Sequence, residues 1–234
     1  MNVNQLSERL SRVASYLPEG SHFADIGSDH AYLPCYVCLR DESARAVAGE
    51  VNHGPYTSAL KEVNSHELQD RIDVRLGNGL EVLEADEVKQ VVIAGMGGPL
   101  IRDILDAGKD KLREVSRLIV QPNIDSQSLR RWFYENQFTL VNEDILEEND
   151  HIYEILVAEK GDPEQTYQSE QFEKELWLGP HLLKKGGEVF RKKCQEELDK
   201  KLFVLEQLKR ASSVNQEKTD QLNKEINWLK EVID

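Results

Sequence analysis

The chain has 234 residues, of which 39% are hydrophobic and 31% charged, and a formal net charge of −14 at pH 7. That length predicts one full-size core plus a smaller module, and the composition is that of a polar globular protein. No apolar run is long enough to span a bilayer, and residues 1–10 lack the basic and apolar regions of a secretory leader, so a cytoplasmic, non-membrane protein is expected. Three cysteines argue against a disulfide framework. Cys35 and Cys38 form a C-x-x-C pair, but no second pair offers the remaining tetrahedral ligands, so no metal is expected and Cys194 reads as packing.

The charge is unevenly spread. Residues 1–160 carry 16 basic and 28 acidic side chains, whereas Lys184 to Arg210 carries nine basic and five acidic ones. Phosphate binding needs a basic footprint, so any nucleic-acid contact is expected on that later, locally basic strip.

Leu6, Leu10, Val13 and Leu17 recur at helical spacing and predict an opening amphipathic helix that ends at Pro18-Glu19-Gly20. Strand and helix signals then alternate. Strands are predicted at Phe23–Ile26, Ala44–Glu50, Ile72–Leu76, Val91–Ala94, Leu118–Gln121, Phe138–Leu146 and Tyr153–Glu159. Helices are predicted near Ala31–Leu39, Pro55–His66, Leu100–Gly108 and Ser126–Asn136. The alternation implies an α/β fold with a parallel, doubly wound sheet. Only Glu147–Ile152 separates the last two strands, too short for a helical crossover, so they are expected to pair antiparallel. A mostly parallel sheet with one antiparallel strand near its edge resembles the Rossmann-like sheet of class I S-adenosylmethionine-dependent methyltransferases.

A boundary is expected at Gly161-Asp162-Pro163-Glu164, giving a catalytic domain over 1–160 and a helical domain over 161–234. The second part predicts a helix near Gln171–Leu183, a break at Gly186-Gly187, and two further helices. Leu222, Ile226, Leu229 and Ile233 make one heptad seam, and Leu198, Leu202, Leu205 and Leu208 make a matching one. With Ser212–Asn215 as the turn, they predict an antiparallel coiled-coil module.

Three strand ends carry cofactor chemistry. The first strand runs into Asp25-Ile26-Gly27-Ser28-Asp29-His30, the second ends on Glu50, and the fourth ends in Gly95-Met96-Gly97-Gly98. In an open parallel sheet, ligands sit beyond the carboxyl ends of the strands at the switch point. Glu50 follows Gly27 at the spacing of an acid that reaches ribose hydroxyls, and Asn78, with Gly79 beside it, is placed to meet an adenine edge. A dinucleotide would need a G-x-G-x-x-G turn for its pyrophosphate. Here Gly27 stands alone in an acidic loop, which suits the sulfonium and ammonium of S-adenosylmethionine. The expected cofactor contacts are Asp25, Gly27, Ser28, His30, Glu50, Asn78, Gly79, Gly95, Met96 and Gly97.

The segments Ala24–Pro34, Ile93–Gly98, Gln121-Pro122-Asn123 and Tyr153-Glu154-Ile155 together resemble the TrmK-type bacterial tRNA (adenine 22, N1)-methyltransferases. The resemblance covers about Gln5 to Lys160, and the helical hairpin fits that family's C-terminal part. It implies tRNA as partner and methyl transfer to N1 of an adenine, and a monomer is compatible with it. The alternative is a methyltransferase for another RNA, a protein or a small molecule.

Neutral adenine N1 already carries a lone pair, so catalysis needs alignment and stabilisation of a cationic product. Asp29 is the first choice for that carboxylate, with a helix cap for the segment starting at Ala31 as the competing role. Substrate contacts are expected from Gln121, Pro122 and Asn123, and from Lys192, Lys193, Lys200 and Lys201 on the basic strip. Arg9, Arg12, Arg102, Arg130 and Arg131 are further candidates for phosphates near the mouth.

Overall fold

The computed structural model describes residues 2–210 and 216–234, so the expected turn at 212–215 lies outside the described residues. A short helix α1 (Glu8–Ala14), capped by the Ser7 hydroxyl accepting from the Leu10 amide, precedes the sheet. Strands β1 (His22–Ile26), β2 (Arg45–Glu50), β3 (Ile72–Leu76), β4 (Gln90–Met96) and β5 (Arg117–Pro122) follow, with helices α2 (Tyr32–Arg40), α3 (His53–Ser65), α4 (Gly98–Ala107) and α5 (Ser126–Glu135) among them. Two long strands, β6 (Phe138–Glu148) and β7 (His151–Lys160), close the sheet. Its order is β3-β2-β1-β4-β5-β7-β6. The first five strands are parallel, and β7 runs antiparallel between β5 and β6.

The apolar runs in the inner strands exist because both faces of the sheet are covered. Alternate residues go to opposite sides, as the two-residue strand period requires. Val91 and Ile93, Leu118 and Val120, and Leu156 and Ala158 pack under α4 and α5 with Ile101, Leu105 and Phe133. Val92, Ile119, Ile155 and Val157 face α1, α2 and α3 with Val13, Leu33 and Val63. Cys35 and Cys38 belong to that second core, where burial pushes their thiols up to about 12 and 11. Each fully buried large apolar side chain contributes roughly 1.5–3 kcal/mol.

The expected helix over Gln171–Leu183 is two helices, α6 (Phe172–Leu178) and α7 (Pro180–Lys185). They break at Gly179, whose φ of 95° is closed to most side chains. A Cβ there would stand 2.7 Å from the Glu143 carboxylate and 2.8 Å from Nη2 of Arg130. Helices α8 (Glu188–Arg210) and α9 (Gln216–Ile233) then lie side by side. Lys201 meets Glu225 and Lys174 meets Glu231, and Leu198, Leu205 and Leu208 share one core with Leu222, Ile226 and Leu229. Leu202 departs from the expected seam: it is 38% exposed, beside an exposed Phe203. The seam runs Phe190, Cys194, Leu198, Lys201, Leu205, so Lys201 takes the inner position, with Nζ 4.7 Å from the centre of the Trp177 ring.

A buried ionic cluster joins the helices to the sheet. Arg130 of α5 is fully buried, not at the mouth; its Nε donates to Glu143 of β6 at 2.6 Å and its Nη2 to Glu154 of β7 at 2.5 Å. Its Nη1 donates to the carbonyls of Leu176 and Trp177 at the end of α6. Glu143 also accepts from the His181 amide in α7 at 2.9 Å, and Lys193 of α8 meets the other Glu154 oxygen.

Candidate active site

The sheet order reverses between β1 and β4, so the crevice lies beyond the carboxyl ends of those strands. The loop after β1 hangs from the end of β2: the Gly27 and Ser28 amides both donate to the Gly49 carbonyl, at 2.9 and 3.2 Å. The Asp29 amide donates to the Glu50 carboxylate, and the Glu50 carbonyl accepts from Gly77 at 2.8 Å. Glu50 therefore ties together the turns after β1, β2 and β3. Gly27 has a φ of 74°, and a Cβ on it would meet Cε of Met96 at 2.2 Å, so the β1 and β4 loops touch there.

Asp25 is almost fully buried and accepts from the Ser28 hydroxyl at 2.6 Å. Burial pushes its carboxyl up to about 7; the Ser28 hydrogen bond works against this, and the Glu50 charge adds to it. Glu50 is also pushed up by burial, opposed by the Asp29 amide. The crevice thus begins with two carboxylates whose ionised forms would gain from a bound cation.

Asp29, His30 and Ala31 follow with φ of 41°, 69° and 55°. Three successive non-glycine residues in the left-handed region cost roughly 1–3 kcal/mol each, and such strain clusters at functional sites. The conformation excludes the capping role: the residue at the start of α2 is Ala31, with no side-chain cap. The Asp29 side chain is 72% exposed, 3.4 Å from Nε2 of His30, whose ring stacks on Tyr32. Asn78 is exposed at the start of the turn after β3, where its carbonyl accepts from Glu81, and Gly79 follows with a φ of 55°.

The turn after β4 and the turn after β5 form one braced unit. Gln121 is fully buried: its Oε1 accepts from Gly95 N at 3.0 Å and from Arg9, and its Nε2 donates to the Pro122 carbonyl. Gln121 therefore shapes the loop instead of facing a substrate. Asn123 is exposed, yet its Nδ2 donates to the Gly95 carbonyl at 2.8 Å and its amide to Met96 at 2.7 Å. Arg9 also stands over the Tyr153 ring.

All four expected lysines are paired with carboxylates of the protein itself. Lys192 meets Glu147 at 2.5 Å, Lys193 meets Glu154, Lys200 meets Glu197 at 2.8 Å and Lys201 meets Glu225 at 2.6 Å. Lys192 and Lys200 are about half-exposed or more, whereas Lys193 and Lys201 are mostly covered. Among the arginines, Arg12 meets Asp144, Arg102 meets Asp103 and Arg131 meets Glu173. Pro122, Asn123, Lys193 and Lys200, far apart in sequence, line one cleft of about 380 Å³ between the β5–α5 turn and the foot of α8. The braces from Arg9 and Arg130 were not read from the sequence as such. The available signal was Glu154, a charge heading the apolar run Ile155–Ala158.

The loops Asp25–His30, Glu50–Gly54, Gly77–Gly79 and Gly95–Gly98 contain three acids and neither lysine nor arginine. That donor set fits ribose hydroxyls, an ammonium and a sulfonium, and disfavours a pyrophosphate. The sheet order and this acceptor-rich crevice define a Rossmann-like methyltransferase.

Residues 23–231 match the family model described as tRNA (adenine(22)-N(1))-methyltransferase. The chain is 45% identical, over 100% of its own length and 99% of the relative's, to the tRNA (adenine(22)-N(1))-methyltransferase of Bacillus subtilis strain 168. The crystal structure of the B. subtilis M1A22 tRNA methyltransferase TrmK superposes with a TM-score of 0.93 at 44% identity, covering 99% of this chain and 100% of that one. Streptococcus pneumoniae Sp1610, solved in complex with S-adenosyl-L-methionine, gives 0.86 at 42% identity over 98% and 100%. M. capricolum TrmK, in complex with S-adenosyl-homocysteine, gives 0.80 at 28% identity over 98% of each chain. The chain belongs to the tRNA (adenine(22)-N(1))-methyltransferase family.

Proposed function

We propose that this chain transfers a methyl group from S-adenosylmethionine to N1 of adenine 22 in tRNA, acting as a cytoplasmic enzyme. The observation that carries the reading is the crevice at the β1/β4 switch point, where Asp25, Glu50 and the exposed Asp29 lie on loops that carry neither lysine nor arginine, in a chain related to the family over its full length. Bound there, S-adenosylmethionine supplies an electrophilic methyl on a cationic sulfur.

The protein's own residues do the rest. Glu50 accepts from ribose hydroxyls, and Asp25 with Ser28 faces the ammonium. Asn78 and Gly79 meet the adenine edge, and His30, Gly95, Met96 and Gly97 wall the methyl. No base is required for attack, because N1 presents its lone pair unaided. The need is to stabilise the positive charge that forms on the base, and Asp29 is the carboxylate positioned for it. Two unit charges 4 Å apart attract by about 1 kcal/mol in water and about 4 kcal/mol at an effective dielectric constant of 20. Asp29, open to solvent in the free protein, therefore gains most of its effect when RNA covers it.

Residues 1–160 form the catalytic domain in this reading, and 161–234 a second domain whose α8–α9 pair is an antiparallel coiled coil that docks tRNA. Among the described residues no helix is long and apolar enough to cross a membrane. The decisive experiment incubates the protein with unmodified tRNA and labelled methyl donor and maps the product. Label on N1 of adenine 22 is expected; label on another atom or nucleotide, or none, overturns the assignment.

A further inference from the structure

The cleft between the β5–α5 turn and the foot of α8 is separate from the crevice just described. None of Asp25–His30, Glu50 or Gly95–Gly97 lines it. It is nevertheless in register with that crevice, because its wall residue Asn123 holds the carbonyl of Gly95 and its neighbour Ile124 holds the amide of Gly98 at 2.9 Å. A group seated in the cleft is thus fixed relative to the turn after β4. Its volume of about 380 Å³ falls at the small-ligand end of the roughly 300–1,000 Å³ typical of binding pockets.

The lining says what kind of group fits. Ile124, 69% exposed, with Ile152 and the half-buried Trp177, provides the apolar part of the lining. Asp125, Asp150 and Glu196 also border the space. These carboxylates disfavour a phosphate inside but accept hydrogen bonds from exocyclic amino groups. A cation is available in the same lining, where the Lys200 side chain is 66% exposed. With Lys193 of the lining taken up by Glu154, apolar side chains, carboxylate acceptors and the exposed Lys200 suit a nucleobase with its phosphate beside that lysine. A base stacked in a helix presents no free face to such side chains, so the group must be unstacked.

We propose that this cleft holds one unstacked, non-reacting nucleoside of the substrate tRNA, next to the adenosine that is methylated, with its base inward. The helical module then contributes to recognition through Lys200 and Trp177 as a wall of the substrate site. The proposal rests on the reading of tRNA as substrate.

The test fills the cleft and deletes the base independently. Gln127→Trp, from the first turn of α5, and Ile152→Trp, from the start of β7, each occupy the space. Expected are a KM for tRNA raised about tenfold, the order of one lost stacked base, an unchanged kcat, unchanged calorimetric affinity for S-adenosylmethionine and an unchanged thermal midpoint. With the unaltered protein, transcripts carrying one abasic site at each nucleotide flanking the target should show the same rise at one position, and the filled variants should be insensitive there. A KM within twofold in both filled variants, no sensitive flanking position, or undiminished sensitivity in the filled variants overturns the cleft. The two readings fail differently, since methylation by the unaltered protein at an atom other than adenine N1 would sink the assigned activity, whatever the cleft variants do.

Discussion

Asp25 is the residue whose chemistry is most open to measurement. Its carboxyl is held at about 7 by burial, far above the ordinary value near 3.8. Between those two values the folded chain binds more protons at this site than the unfolded chain, so the site's contribution to stability falls as pH rises from about 4 to 7 and stays low above that. Thermal melts without cofactor should therefore show the advantage of Asp25→Asn over the parent growing across that window. A cation bound beside Asp25 reverses the preference, because it favours the ionised form. Calorimetric affinity for S-adenosylmethionine is expected to tighten through pH 7 in the parent. In Asp25→Asn it should be flat and weaker by roughly tenfold or more, in line with the 1.5–3 kcal/mol of a charge-assisted hydrogen bond. A flat profile in both would remove Asp25 from the ammonium contact. Gly27→Ala separates two costs: Met96 is flexible and can move its methyl aside, whereas the φ of 74° remains, worth about 1–2 kcal/mol. A modest loss of midpoint with a larger loss of cofactor affinity is expected.

At the scale of elements, the turn between α6 and α7 and the helix α5 depend on one another through Arg130. Removing one partner of a buried ion pair costs about 3–5 kcal/mol because it strands the other charge. Arg130→Ala, which strands Glu143 and leaves Glu154 with Lys193 alone, should lose that much in denaturant unfolding. Exposed Arg131→Ala, whose Glu173 partner is 54% exposed, should lose under about 1 kcal/mol. The βα alternation up to Asn136 was legible because each strand is a short apolar run followed by a helical period, and the sheet buries both faces. The antiparallel β6–β7 pair was legible from its short connection alone. Leu178-Gly179-Pro180 carried a break signal, yet the apolar spacing across it reads as one continuous helix. Why Gly179 is needed lies in Glu143 and Arg130, which only the folded chain brings to it. Leu202 was misplaced for a related reason: a lysine is invisible to an apolar heptad, although Lys201 occupies the seam.

For the whole molecule, the question is how a chain of net charge −14 holds a polyanion. The acids that meet the four lysines leave little free positive potential, so RNA must compete for them. Lys192 and Lys200 can exchange partners at little cost because exposed pairs are weak. Lys193 and Lys201 are packed against Glu154 and Trp177. In anisotropy titrations with tRNA, Lys192→Ala with Lys200→Ala should flatten the plot of log Kd against log salt by about 1.4–1.8, two phosphate contacts' worth. Lys193→Ala with Lys201→Ala should lower the melting midpoint and leave that slope unchanged. The candidate residues at strand ends could be gathered from sequence because topology alone brings strand ends to one edge. The cleft could not, since its walls come from Pro122 and Lys200, brought together by the fold.

The ionic cluster around Arg130 also has a mechanical side. Strand β7 runs antiparallel to β5, so Lys160 leaves the sheet at the edge away from the crevice, while α8 meets β7 again at Glu154, near the crevice. Its 23 residues, at 1.5 Å each, make an arm of about 35 Å. Lys193 sits near the fixed end of that arm. By simple proportion, a tilt of about 5° at the clasp, about 26 Å from the far end of α8, would carry that end through roughly 2 Å. That is enough to take a side chain out of hydrogen-bonding range of a phosphate. Arg130 holds Glu154 in place for Lys193, so in the proposed docking a substitution of Arg130 would be felt by RNA that never touches it.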